Sequence, residues 1–174
     1  MISPDTKNWT WVLERECPEC GYDGSATPAT AVAAISRANA ADWRRLFAEG
    51  LIRKGRPNDE TWSSLEYACH VRDVYRKMDT RIRAMLADDD PLFANWDQDE
   101  TAVADRYEEQ EPATAVTELE REAEMMAARL DALTTDQWSR PGRRSDGASF
   151  TIDSISRYMA HDVVHHVWDV EQFV

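Results

Sequence analysis

The chain has 174 residues, of which 43% are hydrophobic, and this size and composition predict one globular domain over residues 1–174. No apolar run approaches the ~20 residues of a membrane span, and residues 1–16 lack a signal-peptide core. We therefore expect a cytoplasmic protein without a membrane partner. The net charge of −13 would repel phosphate backbones, which argues against a nucleic-acid partner.

The first two predicted helices have recognisable N-terminal signals. Thr27 is a candidate N-cap with Pro28 at the first helical position, and this helix is predicted to run to about residue 48. Ser63 and Glu66, in the segment S-S-L-E, form a capping-box pattern, and the second helix is predicted over 63–87.

An acidic connection over residues 88–111 follows, with ten carboxylates against one arginine. It is too long for a simple helix–helix turn. Phe93, Trp96 and Tyr107 are expected to hold it against the body of the protein. Two interpretations remain open: an ordered lid over a site, or a solvated crossover.

Two further helices are predicted over residues 112–133 and 151–173, and no strand is predicted. Apolar residues recur at spacings of three and four, which is typical of helix bundles. The sequence therefore predicts an all-α fold, a four-helix bundle with long loop connections. Residues 1–26 form an N-terminal extension.

Three histidines are candidate metal ligands. His161 and His165 are four residues apart and therefore share one face of the last helix, where both imidazoles can reach one metal ion. His70 in the second helix is a candidate third ligand. Three protein ligands leave coordination positions open, which is typical of a catalytic metal site.

The remaining residues of H-D-V-V-H-H set limits on this interpretation. His166 falls in the apolar stripe of the last helix and is predicted to be structural. Position 162 is Asp and not the Glu of H-E-x-x-H, so a zincin protease is excluded. The face of His161 and His165 carries aromatic residues and few charges, so it is expected to border a pocket or a partner chain.

Cys17 and Cys20 lie in the segment C-P-E-C-G. An odd cysteine count does not indicate a disulfide framework. The pair is compatible with half of a zinc site, but the sequence offers no second C-x-x-C. A redox dithiol lacks the expected strand–helix context. We favour a structural turn in the N-terminal extension.

Charged residues near the second helix and in the last loop have both structural and functional interpretations. Glu66 and Asp73 either orient the second-helix histidine, act as a base, or form surface salt bridges, which we favour. The loop residues Arg140, Arg143 and Arg144 either meet a carboxylate on a substrate or offset the acidic connection, and we favour the latter.

Three stretches of the chain resemble the DinB-like superfamily, and especially its actinobacterial branch. They are T-W-S-S-L-E-Y-A-C-H-V-R-D-V-Y, L-T-T-D-Q-W-S-R-P-G and M-A-H-D-V-V-H-H-V-W-D-V. That branch is similar to mycothiol-dependent maleylpyruvate isomerases and to bacterial thiol S-transferases.

The resemblance implies a divalent metal, zinc or nickel, held by His70, His161 and His165. In such relatives the metal activates the thiolate of mycothiol or bacillithiol for attack on an electrophilic substrate. The resemblance also implies a homodimer. Because the sequence shows no separate C-terminal domain, maleylpyruvate is not the expected substrate. The alternative is a non-enzymatic metal-binding or dimeric stress-related bundle.

Overall fold

A computed structural model of the chain describes residues 9–173. Residues 1–8, which belong to the predicted N-terminal extension and to the segment tested for a signal peptide, lie outside this range. The described helices are α1 (Val32–Ala48), α2 (Ser64–Ala87), α3 (Gln98–Ala104), α4 (Pro112–Asp131) and α5 (Ile152–Glu171). The four long helices form a bundle in which α4 and α5 each pack against both α1 and α2. The predicted four-helix bundle is confirmed.

The helix ends follow local side-chain chemistry. The predicted capping box of α2 is present: the Glu66 amide donates to Ser63 Oγ at 3.2 Å, and the Ser63 amide donates to Glu66 Oε2 at 2.8 Å. Helix α1 begins one turn later than predicted, because Ala29–Ala31 form a 3-10 turn. The Thr27 hydroxyl donates to the carbonyl of Asp23 at 2.6 Å and does not cap the helix.

Large apolar side chains fill the space between the four long helices. The fully buried ones include Trp43, Tyr75, Leu119, Met126 and Met159. One buried polar chain also ties three helices together. The Tyr75 hydroxyl donates to Asn39 Oδ1 at 3.1 Å, and Asn39 Nδ2 donates to the carbonyl of Val163 at 2.7 Å. Within residues 9–173, no helix has the length and apolar character needed to cross a bilayer.

A small sheet lies at one end of the bundle. The sequence predicted no strand, and this prediction was wrong. Its strands are β1 (Leu92–Phe93), β2 (Pro141–Arg144) and β3 (Ser149–Thr151), with β1 parallel and β3 antiparallel to β2. Strands this short show no alternation in the sequence. Close packing fixes β2, since a Cβ on Gly142 would lie 2.8 Å from Met85 Cγ and 2.9 Å from Phe93 Cε1.

The acidic connection is ordered, as one of its two interpretations required. It contains β1 and α3, and its aromatic residues contact the bundle as predicted. Tyr107 is fully buried, and its hydroxyl donates to Asp73 Oδ2 at 2.6 Å. Trp96 lies against His70 of α2. The connection therefore covers part of the bundle and does not loop through solvent.

Candidate metal centres

Helix α5 carries two pairs of metal-binding side chains, each spaced by four residues. His161 and His165 form one pair, and Asp162 and His166 form the other. Because each residue turns an α-helix by ~100°, the second pair faces a different neighbour from the first. The two pairs therefore belong to separate groups of donor atoms.

The first group, called here the four-donor group, consists of Cys17, Cys20, His161 and His165. One ligand atom from each residue lies within 4.8 Å of the others. Cys17 Sγ lies 3.8 Å from Nδ1 of His165. Both histidines and Cys17 are buried, and all cysteines of the chain are free thiols.

The N-terminal segment brings the two thiols to α5. Residues 9–13 form a 3-10 helix packed on α5, and a tight turn follows at the cysteines. In that turn the Gly21 amide donates to the Cys17 carbonyl at 2.9 Å, and Gly21 has φ +73°, which glycine adopts without strain. The Tyr22 hydroxyl then donates to the carbonyl of Arg157 at 3.1 Å, which fastens the segment to α5.

Aromatic rings of the same segment enclose the histidine pair. The ring centroids of Trp9, Trp11 and Tyr22 lie 5.4, 6.3 and 6.0 Å from that of His161. This explains why His161 and His165 are buried although they lie opposite the apolar stripe of α5. The aromatic face that indicated a partner chain is covered by the chain's own residues, and the homodimer stays a prediction.

The electrostatics of the four-donor group follow from its burial. Burial, and then the like charge of His165, lowers the pKa of His161 to about 4. Burial also raises the pKa of the Cys20 thiol to about 12. His161 Nε2 is buried and has no hydrogen-bond partner among the described residues. Burial therefore disfavours the charged forms of His161 and Cys20, and a buried nitrogen of His161 is left unsatisfied by the described residues.

The second group, called here the three-donor group, consists of His70, Asp162 and His166. Nε2 of His70 lies 3.4 Å from Oδ1 of Asp162, and Nε2 of His166 lies 3.2 Å from the same oxygen. Two imidazole nitrogens thus face one carboxylate oxygen. The Asp162 side chain is 24% exposed, so the group is reachable from solvent.

The surroundings of the three-donor group fix both imidazole rings. The Trp96 ring stacks on His70 with centroids 5.4 Å apart and planes 9° apart, and Trp62 lies 5.1 Å away. Nδ1 of His70 is buried and has no hydrogen-bond partner within residues 9–173. Nδ1 of His166 lies 2.8 Å from Oδ2 of Asp169, an arrangement typical of metal-binding histidines.

The pKa shifts in the three-donor group differ in direction from those in the four-donor group. Burial opposes the charge on His166, but hydrogen bonds to Asp162 and Asp169 outweigh it and raise the pKa of His166 to about 9. Burial opposes the charge on Asp162 as well, and its bonds with the two histidines hold its pKa well below the usual range. Burial lowers the pKa of His70. The two carboxylates Asp162 and Asp169 therefore favour positive charge at His166.

The three histidines named from the sequence are divided between the two groups. His161 and His165 lie together with the cysteines, whereas His70 lies with Asp162 and His166. Binding of one metal by the three histidines as a set stays a prediction. The residues that the sequence interpretation missed are Asp162 and His166 as donors, and Cys17 and Cys20 as partners of the histidine pair. The second i, i+4 pair in H-D-V-V-H-H was the available signal.

Glu66 and Asp73 form ion pairs, as favoured, but both are buried and not on the surface. Glu66 pairs with Arg56 at 2.5 Å. Asp73 pairs with Arg72 at 2.9 Å and accepts the Tyr107 hydroxyl. Asp162, not these two carboxylates, faces the second-helix histidine.

The arginines of the last loop have structural partners. Arg143 pairs with Asp90 of the acidic connection at 2.7 Å, as the charge-offset interpretation predicted. Arg144 pairs with Asp146 at 2.9 Å. Arg140 donates to the carbonyl of Asp88 at 2.7 Å.

The fold and these two donor groups define a helical bundle with candidate metal centres on its last helix. A family model, described as the DinB superfamily, matches residues 25–170, so the chain belongs to the DinB superfamily. The actinobacterial branch stays a prediction.

The fold is also similar to a solved structure of low sequence identity. That structure is described as "YfiT from Bacillus subtilis is a probable metal-dependent hydrolase with an unusual four-helix bundle topology". The TM-score is 0.72 at 14% identity, with 83% of this chain and 86% of that chain covered. No curated protein matches the sequence.

Proposed function

We propose that this protein is a metal-dependent low-molecular-weight-thiol S-transferase whose divalent metal is held by the three-donor group. The observation that carries the proposal is that Nε2 of His70 and Nε2 of His166 face the same oxygen of Asp162. Two imidazoles and a carboxylate match the donor sets of catalytic zinc sites, which keep a position open for water or substrate.

The donor set fits a divalent cation on three counts. Both histidines come from rigid long helices, α2 and α5, which restricts their relative position. Asp169 accepts from the outer nitrogen of His166 and so directs the other nitrogen inward. The Asp162 side chain is 24% exposed, so one edge of the group borders solvent.

A divalent cation held by His70, Asp162 and His166 would lower the pKa of a thiol or water, which would supply a nucleophile near neutral pH. In the proposed reaction the thiol loses its proton to solvent and its sulfur forms a bond to carbon of an electrophile. The leaving group departs with its bonding electron pair. The indole rings of Trp62 and Trp96 beside His70 limit the access of water from that side.

The choice of a thiol is supported by the resemblance to mycothiol-dependent relatives. Mycothiol is the proposed cosubstrate, zinc or nickel the proposed metal, and the cytoplasm the proposed location. A second candidate function is metal-dependent hydrolysis, which the description of YfiT supports. The same donors would then activate water. The third candidate is a bundle that binds metal without catalysis.

The experiment compares wild-type protein with His70→Ala and with the matched variant His161→Ala. Metal content is measured for each protein. Turnover of a generic electrophile is measured with cysteine, glutathione and mycothiol in turn, and ester hydrolysis is measured without thiol. We expect turnover that depends on the thiol. Loss of a residue that only hydrogen-bonds to a metal ligand typically reduces activity by ~10–100-fold, and we expect His70→Ala, which removes a ligand itself, to reduce turnover by more than this. We expect His161→Ala to retain most of it.

Each other result favours a different function. Hydrolysis without thiol would support the hydrolase. Bound metal with neither activity would support the non-enzymatic bundle. Loss of the same single metal ion from both variants would support the three-histidine site predicted from the sequence and contradict the three-donor group.

A further inference from the structure

We infer that Cys17, Cys20, His161 and His165 form a second metal site, which binds zinc and fastens the N-terminal segment to α5. The site is separate from the three-donor group and does not depend on the proposed function. Four protein donors complete the usual coordination of zinc, and a set of two thiolates with two imidazoles is typical of structural zinc sites.

The cysteine half of the site is prearranged by its turn. Two thiols in a C-x-x-C segment lie on the same side of a tight turn closed by the Gly21 amide on the Cys17 carbonyl. The Cys17 amide also donates to the Tyr22 carbonyl at 2.8 Å. The backbone therefore holds both sulfurs toward α5 with their ligand atoms within 4.8 Å of the histidine nitrogens.

The histidine half contains an atom that needs a partner. His161 is 4% exposed, and its Nε2 is buried without a hydrogen bond from the described residues. Unsatisfied buried nitrogens are rare because they lose the interaction with water without replacement. A cation among the four donors would satisfy this nitrogen.

His165 shows the second feature expected of a zinc ligand. Its Nδ1 faces Cys17 Sγ at 3.8 Å, while its Nε2 lies 3.5 Å from Glu19 Oε2 and 3.7 Å from Asp169 Oδ1. One nitrogen thus faces the donors and the other faces carboxylates, which is the common outer arrangement around zinc-bound histidine.

The alternatives for the cysteine pair are a redox dithiol and a simple packed turn. A redox dithiol works through one accessible thiol, whereas Cys20 is partly buried and Cys17 is 1% exposed and lies against a histidine. A packed turn would gain nothing from leaving the nitrogen of His161 unsatisfied. Zinc binding accounts for both halves, and for the presence of two cysteines and two histidines at one point.

The test begins with wild-type protein purified without added metal. We expect about one zinc ion per chain that is released by a mercurial reagent, since mercurials displace zinc only from thiolate ligands. We also expect cobalt-substituted protein to show a thiolate-to-cobalt charge-transfer band. The absence of any mercurial-releasable zinc, or a Cys17–Cys20 disulfide in protein without zinc, would overturn the inference.

Variants then locate the site. The double variant Cys17→Ser/Cys20→Ser should lose the mercurial-releasable zinc and the charge-transfer band, while keeping the metal of the three-donor group. Cys69→Ser is the matched control, because Cys69 is a buried thiol that contacts Gln110 and lies outside both groups. Retention of the releasable zinc in the double variant, or its loss in the control, would contradict the inference. The wild-type measurements decide the question even where a variant fails to fold.

Discussion

The four-donor group and the three-donor group share one helix but differ in composition, charge and access. The first joins two distant parts of the chain, donates from two sulfurs and two nitrogens, and is enclosed by aromatic rings. The second joins two helices that already pack together, donates from two nitrogens and one oxygen, and has a partly exposed carboxylate. This difference is the basis for proposing a stabilising role for the first group and a chemical role for the second.

The largest expected effect concerns stability. The Asp162→Asn variant is used as the background because it removes one donor of the three-donor group and so isolates the four-donor group. In this background, removal of zinc by a chelator should lower Tm by about 8–16 °C, because a ligand present at 1,000 times its Kd stabilises the protein by about 4 kcal/mol. Thermal unfolding with and without chelator measures this. Chelation of Cys17→Ser/Cys20→Ser in the same Asp162→Asn background should leave Tm unchanged, and an equal drop there would show that the stabilising ion is bound outside the four-donor group.

The next prediction concerns the pH dependence of the metal-free protein. The pKa of His161 falls from 6.5 to about 4 on folding, so the free energy of unfolding should decrease as pH falls from 6.5 toward 4. The pKa of His166 rises from 6.5 to about 9, so its stabilising contribution is complete below pH 6.5 and lost as pH rises through 9. Each effect should reach about 3 kcal/mol at most.

Urea denaturation in the presence of a chelator would measure both effects. His161→Gln should reduce the slope on the acidic side of the stability profile, to which the lowered pKa of His70 also contributes, and should leave the alkaline side unchanged. His166→Gln should do the reverse. A variant that flattens both sides would show that the two groups titrate as one unit.

A smaller effect is expected from the carboxylate that both groups share. Asp169 lies 2.8 Å from His166 but 3.7 Å from His165. Asp169→Asn should therefore weaken metal binding in the three-donor group by about 10–100-fold and in the four-donor group by less than about tenfold. Competition with a chromogenic chelator measures both affinities. An equal loss in the two groups would contradict this ordering.

The smallest effect is expected at Glu19. Its side chain is half exposed, and it lies 3.5 Å from His165. Since exposed pairs contribute at most about 1 kcal/mol, Glu19→Gln should weaken zinc binding by about fivefold or less. The affinity of the three-donor group serves as the internal control and should not change.

Much of the fold could be predicted from the sequence because its signals are local. Ser63 and Glu66 begin α2 through contacts three residues apart, and Pro112 begins α4. The sheet could not be predicted in this way, because β1 and β2 pair across about 50 residues and each has four residues or fewer.

The candidate site was predicted in part for the same reason. The spacing of His161 and His165 places them on one helix face, and the structure does bring them together. Tertiary packing decides two further features that the spacing does not contain. Residues 9–22 cover this face, and His70 contacts Asp162 instead of the histidine pair. The sequence pattern predicts a structural role for His166, because a helical wheel distinguishes only a polar face from an apolar face. In the structure, α5 has a third face, which lies toward α2.

The one-residue offset between the two pairs on α5 makes this helix intolerant of changes in length. Deleting a residue within the helix ahead of His161 would turn everything after it by about 100°. Asp162 and His166 would then face the cysteines, and Val163 and Val167 would face His70. A single-codon deletion there would disrupt both candidate metal sites at once, whereas the exposed turn at 145–147 would accommodate the same deletion with far less damage.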